Sequence, residues 1–413
     1  MQKIIYTILI FFFSMQAANS QWVQQSSGTD QNLYDVEFIN EKTGWAVGDG
    51  GVVIKTTNAG TNWVNLPNPS PSLSPNLWSV EPIDSNIVYI TSGKDLIIKT
   101  TNGGINWDVL NYCPDCNSAM IGIYFLNKDT GWFLGANKVF RTFDGGETLD
   151  SFYAPWFDNF EIYFKDINTG LFTGDGRVFK TTDKGESWFD TNVPTFGTFY
   201  MFRKLAVNNN KVWVVGSSSP VFRSTNFGDS WEIITPGQQI GGIGINFVNQ
   251  NTGYIGRSLN NLIKTTNGGF NWYQQRTDSN SLAFISSFAF VNDTVGWYSC
   301  GVGRIYKTNS GGQWLTNISQ ITNTTPSSFS LYQNYPNPFN SKTQIEFDVP
   351  NKNNYKLEIY NLIGKKIAEV FNQEYALGRY KILYNADDLS SGIYIYRISS
   401  KENSISKKFI LLK

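Results

Sequence analysis

Few residues of this 413-residue chain are placed to do chemistry. Cys113-Pro-Asp-Cys116 has the spacing of a redox pair or of half a metal site. A zinc tetrahedron would need further ligands, and the chain has neither a second such pair nor any histidine. The lack of histidine also removes Ser-His and Cys-His nucleophilic catalysis. What is left is carboxylate, Tyr, Lys or Arg chemistry, and a carboxylate pair at hydrolase spacing stays open. We therefore expect no metal and no cofactor. In an exported chain Cys113 and Cys116 would close a small disulfide loop. Cys300, in the strand-like run Trp297-Tyr298-Ser299-Cys300, reads as a small buried residue.

The other candidates are aromatic. Phe152, Tyr153, Trp156, Phe157 and Phe160 form one cluster; Phe196, Phe199, Tyr200 and Phe202 form a second, followed by Arg203. Tyr34 and Trp78 stand alone at comparable places. Exposed together, such rings suit sugar stacking or capture of a partner's segment. An equally weighted reading has them filling gaps between structural units. The candidate ligand site is Trp156, Tyr200 and Arg203, with Tyr34, Trp78 and Phe160 beside them.

Composition limits what must position these residues. With 33 basic and 33 acidic residues there is no net field to collect nucleic acid, and no such partner is expected. Thirteen Trp, 30 Phe and 37 Gly favour strands and turns over helical bundles. Met1 to Ser20 reads as an export signal: Lys3, then the mostly apolar run Ile4 to Met15, then Ala18-Asn19-Ser20 ahead of a cut before Gln21. The run is short of the about 20 residues needed to span a bilayer, and no later segment reaches that length.

From there to about residue 316 the chain repeats. Thr56-Thr57-Asn58-Ala59-Gly60-Thr61-Asn62-Trp63 recurs with Asn102, Gly104 and Trp107, then with Asp183, Gly185 and Trp188. It recurs again with Asn226, Gly228 and Trp231, and with Asn267, Gly269 and Trp272. A copy with Asp144 and Gly146 has Leu149 in place of Trp, and one ending at Trp314 is a residue short. The glycine spacings run 44, 42, 39, 43, 41 and 43, the length of one four-stranded blade. Three strands precede each turn and one follows it, as in Gly44-Trp45-Ala46-Val47-Gly48 and Val52-Val53-Ile54-Lys55. The turn hydroxyl and Asn or Asp should bind backbone N–H groups, the Gly should take a left-handed backbone, and the Trp should wedge between sheets. Trp22-Val23-Gln24-Gln25 is similar to Trp272-Tyr273-Gln274-Gln275, so the N-terminal strand is expected to close the ring, in competition with Trp314.

These segments resemble Asp-box (bacterial neuraminidase) repeats, and the Gly-Trp-Ala-Val-Gly strand resembles photosystem II assembly-factor-like propellers. The resemblance implies an all-β, seven-bladed β-propeller over residues 21–316. Asn in place of Asp at several turns argues against cation sites there. A polar linker is expected at 317–328 and a small antiparallel β-sandwich at 329–413. Tyr335-Pro336-Asn337-Pro338-Phe339-Asn340, Leu357 to Gly364, Ser391-Gly392-Ile393-Tyr394 and Lys407-Lys408-Phe409 resemble the type A sorting domain of the type IX (Por) secretion system. That resemblance implies the type IX machinery as a partner and a secreted or outer-membrane-attached location. Sialidase chemistry lacks its arginine cluster, with only nine arginines present. The expectation is a non-catalytic binding or adhesion propeller with a glycan or surface-protein ligand. A glycoside hydrolase on the same scaffold is the alternative.

Overall fold

The computed structural model describes residues 22–70, 75–111, 119–155, 159–174, 176–195, 200–216, 219–235, 240–258, 261–275, 283–312, 319–322, 326–340, 342–386 and 389–413. Met1 to Gln21, Cys113, Cys116, Trp156 and Trp314 lie outside them, so the export signal, the disulfide and part of the aromatic cluster do too.

Seven four-stranded antiparallel sheets follow one another along the chain. Blade 1 shows the pattern: Leu33–Phe38, Gly44–Gly48, Val53–Thr56 and Val64–Asn65, paired in that order. The first strands of blades 2 to 7 are Leu77–Pro82, Met120–Phe125, Asn159–Phe164, Phe202–Asn208, Gly244–Phe247 and Ile285–Phe290. Each first strand touches the first strands on either side, and that of blade 7 returns to that of blade 1. The result is a closed seven-bladed β-propeller with the first strands around its axis.

Closure is made by the N-terminus. Val23–Gln25 pairs antiparallel with Arg304–Thr308 and supplies the fourth strand of blade 7. Trp22 takes the place that Trp63, Trp188 and Trp272 hold in their own blades. Its ring stands edge-on to Phe290 at 5.9 Å, as Trp63 does to Phe38 at 5.8 Å. The N-terminal strand thus covers the edge of Arg304–Thr308 that would otherwise be bare.

The turns share one hydrogen-bond network. Thr56 Oγ1 accepts from the Gly60 N–H (3.0 Å), and Asn58 Oδ1 accepts from Thr56 Oγ1 (3.0 Å) and the Asn62 N–H (2.9 Å). Gly60 has φ of 85°, a value that a side chain would strain. Thr181, Asp183 and Gly185 repeat the network, and in blade 7 Thr308 still accepts from the Gly312 N–H at 2.9 Å.

The main brace between blades is a different aromatic ring from the expected one. Trp132, in the second strand of blade 3, stacks flat on Phe164 of blade 4 at 3.6 Å. Its indole N–H donates to Lys184 O, in that blade's turn, at 2.9 Å. Trp297 stacks likewise on Phe38 and Trp213 on Phe247, each with its N–H on a turn carbonyl of the following blade. Tyr89 and Tyr254 play the part with their hydroxyls, donating to Gly145 O and Gly311 O. The second-strand tryptophans are fully buried, whereas the turn tryptophans press edge-on against the same Phe from nearer the surface.

After the propeller come two further four-stranded sheets. One joins Ser330–Leu331, Lys342–Val349, Gly378–Asn385 and Ser319–Thr322; the other joins Lys366–Tyr375, Asn353–Asn361, Gly392–Ser399 and Ser404–Leu411. Their inner faces share one apolar core including Phe347, Leu357, Ile382, Ile398 and Phe409. Ser319–Thr322 falls inside the span read as linker, yet it is an edge strand on Gly378–Asn385. Polar composition hid it, because an edge strand need not be apolar. In the Tyr-Pro-Asn-Pro-Phe segment, Phe339 is buried against Phe409, and its backbone bonds Ile410 O and the Leu412 N–H.

Candidate functional site

The first strands carry a shared irregularity. In blades 1 to 5 and 7 the pairing with the second strand skips one residue near its start, leaving Tyr34, Trp78, Ile121, Phe160, Arg203 and Ser286 without an opposite partner. A bulge of this kind re-aims the unpaired side chain. Four of the sequence-stated candidates, Tyr34, Trp78, Phe160 and Arg203, thus hold equivalent positions on one ring around the axis. Tyr34 and Trp78 meet at 4.6 Å, and the Arg203 guanidinium lies 5.2 Å from the Phe160 ring centre. Arg203 is exposed and the three rings half-buried. Burial and the neighbouring Asp49 carboxylate push the Tyr34 hydroxyl up to about 12, so it stays neutral.

Tyr200 is not part of that ring. It packs on Phe202 and Phe222 at 6.4 and 5.8 Å, in the apolar seam between blades 4 and 5. For this residue the gap-filling reading describes what its ring touches.

One step further along the first strands, Asp35, Ser79, Glu161 and Lys204 share a level, with Gly122, Gly244 and Ser287. Two residues beyond, facing the brace positions, come Glu37, Glu81, Tyr124, Tyr163 and Asn246, with Ala206 and Ala289. Lys204 of blade 5 reaches Glu161 of blade 4 at 3.0 Å and Asp35 of blade 1 at 3.8 Å. Blades 5 and 1 are not neighbours, so this one side chain spans the central channel. Asp35 Oδ2 is further held by Ser79 Oγ (2.8 Å) and the Val80 N–H (3.0 Å).

Burial raises Glu37 well above the usual carboxylate range, and Asp35 and Glu81 add repulsion. Glu81 is raised to about 8, by burial first and then by Asp35. Glu161 is raised by burial, with Lys204 opposing. Burial alone would lower Lys204, but Asp35 and Glu161 hold its ammonium above the ordinary value. The sequence reading missed this group entirely. Its signal was present: charged residues at alternate positions in short, otherwise apolar strands, as in Leu33-Tyr34-Asp35-Val36-Glu37. Among the described residues no cluster of acidic or cysteine side chains is arranged to hold a metal ion.

Comparison with known proteins follows this geometry. Residues 14–115 match the family profile of photosynthesis system II assembly factor YCF48, and residues 333–412 match that of the secretion system C-terminal sorting domain. The chain pairs a YCF48-like propeller with a secretion sorting tail. A structure of YCF48 bound to D1 peptide superposes with a TM-score of 0.60 at 16% identity, over 71% of this chain and 96% of that one. YCF48 from Cyanidioschyzon merolae gives 0.57 at 14%, over 70% and 99%. A GH74 enzyme from Niastella koreensis gives 0.56 at 12%, over 94% and 74%. At such identities the likeness shows the fold alone. No curated protein matches the sequence. The sorting tail marks a secreted or cell-surface-attached protein and implies contact with the type IX machinery; no helix among the described residues is long and apolar enough to cross a membrane.

Proposed function

We propose that the propeller is a non-catalytic binding or adhesion module, exported through a front signal at Met1 to Ser20 and the type IX tail, and that its ligand docks on the bulge ring. The observation that carries this reading is the placement of Tyr34, Trp78, Phe160 and Arg203 at equivalent positions on one rim of the channel. Half-buried rings beside an exposed guanidinium suit an extended peptide of a surface protein, or a glycan with an acidic group. A fold neighbour was solved with a peptide bound, which favours the first.

The alternative is a glycoside hydrolase, prompted by the GH74 neighbour. Against it, the described carboxylates with raised proton affinity lie half-buried in a channel that Lys204 crosses. Replacing Trp78, Phe160 and Arg203 together with Ala should abolish binding of whatever glycan or surface protein a screen on the mature chain identifies. Retained binding with unchanged circular dichroism would reject the rim. Turnover of a polysaccharide panel by the wild type would favour the hydrolase instead.

A further inference from the structure

Residues 24–30 and 302–304 line a cavity of about 550 Å³ at the seam where the propeller ring closes. Gln24 and Gln25 belong to the closing strand, and Arg304 begins the blade 7 strand that it pairs with. The two walls are fixed to each other. The buried Ser27 hydroxyl donates to Gly303 O, and a Cβ on Gly303 would lie 1.9 Å from Thr29 O, so the hairpin rests directly on the incoming loop. The volume falls within the about 300–1,000 Å³ of small-molecule sites.

One wall carries a residue that the fold does not explain. Val302 has φ of 55° and Gly303 φ of 68°, the left-handed pair of the hairpin that leads into Arg304–Thr308. At the same place in blade 1 stand Gly50 and Gly51, with φ of 64° and 77°. A β-branched residue rarely enters that region, and such strain concentrates at ligand clamps and active sites. Val302 gains no burial in return, being 52% exposed where it lines the cavity. Its N–H donates to Asn32 Oδ1 at 2.9 Å, which holds the strained turn in place.

The rest of the lining decides the ligand class. Asp30 only accepts hydrogen bonds and Arg304 only donates them, and their charges cancel. Gln24, Gln25 and Thr29 do both. A ligand that answers all of them is uncharged and rich in groups that donate and accept, and hydroxyl is such a group. We propose that the seam cavity binds a neutral mono- or disaccharide, with Val302 against a C–H face of the sugar ring and Asp30, Arg304 and Gln24 on its hydroxyls. None of the rim residues proposed above lines this cavity, so the two sites stand or fall separately.

Maltose, cellobiose and lactose are the probes, with glucosamine and glucuronic acid as charged comparators and a blocked Gly-Ser-Gly peptide as a different ligand class. Saturation-transfer NMR and calorimetric titration of the mature chain should show saturable binding of at least one neutral sugar, with the comparators and the peptide weaker. Asp30→Ala should weaken that sugar at least about tenfold. Val302→Gly relieves the left-handed strain, so it should leave the unfolding temperature close to that of the wild type while weakening the sugar about threefold or more. A purely structural role for Val302 predicts no change in binding. No binding of the three sugars up to tens of millimolar, equal or tighter binding of a charged comparator or of the peptide, or undiminished binding in folded Asp30→Ala or Val302→Gly would each overturn the proposal.

Discussion

Glu81 makes the propeller's stability depend on pH in a direction opposite to the usual carboxylate. Its proton affinity in the folded chain is raised from 4.5 to about 8, chiefly by burial. Below pH 4.5 both folded and unfolded chains carry the proton, and the group contributes nothing. Between 4.5 and 8 the unfolded chain loses the proton while the folded one keeps it, so each rise in pH favours unfolding. Above 8 the penalty is complete. Taken at face value the displacement is worth about 5 kcal/mol. Water reaching the half-buried side chain, and relaxation around it, should reduce that to about 2 kcal/mol. Glu81→Gln removes the charge and keeps the shape. The variant should match the wild type near pH 4.5 and exceed its stability by about 2 kcal/mol at pH 8.5. Urea denaturation of the mature chain, followed by tryptophan fluorescence at both pH values, measures this. A variant equally destabilised at both pH values would show that the carboxylate serves as an ionised structural partner, and the reasoning would fail.

Other outcomes follow from the same packing. Lys204→Met removes the ammonium that faces Asp35 and Glu161 and should cost about 3 kcal/mol at pH 8, with part of the loss regained toward pH 5 as Glu161 takes a proton; the same titration tests it. Trp132→Ala removes a fully buried ring stacked on Phe164 and should cost about 3–5 kcal/mol, whereas Trp107→Ala, at a half-buried turn position, should cost less. Deleting residues 22–25 opens blade 7 and should yield concentration-dependent association on gel filtration, because Arg304–Thr308 then presents a bare edge. Removing residues 333–412 should leave the propeller inside the cell envelope, detected by fractionation.

The repeat was legible because its turns need particular atoms. A Thr hydroxyl, an Asn or Asp oxygen and a left-handed Gly recur wherever that loop is built, so seven copies could be read directly. The identity of the brace was harder to see. Gly-Trp in the second strand and Trp after the turn are equally prominent in the sequence, and only the stacking on Phe164 or Phe38 separates the flat, buried ring from the edge-on one. Of the candidate site, Tyr34, Trp78, Phe160 and Arg203 come together because a bulge repeats with the blades, a feature with no residue signature of its own. Tyr200 drew notice for its neighbours in sequence, but its ring turns into the seam. The channel charges escaped for another reason. Asp35 and Lys204 lie 169 positions apart in the chain, and only closure of the circle brings them within reach.

That circle is fastened by its two ends, Val23 lying against Lys307. The clasp cannot shut until nearly the whole propeller has been synthesised, because its two halves come from the first and the last propeller strands. If the leader is cut ahead of Gln21, the new amino terminus stands one residue from the indole that locks the last blade. Cleavage and final locking would then act on neighbouring residues.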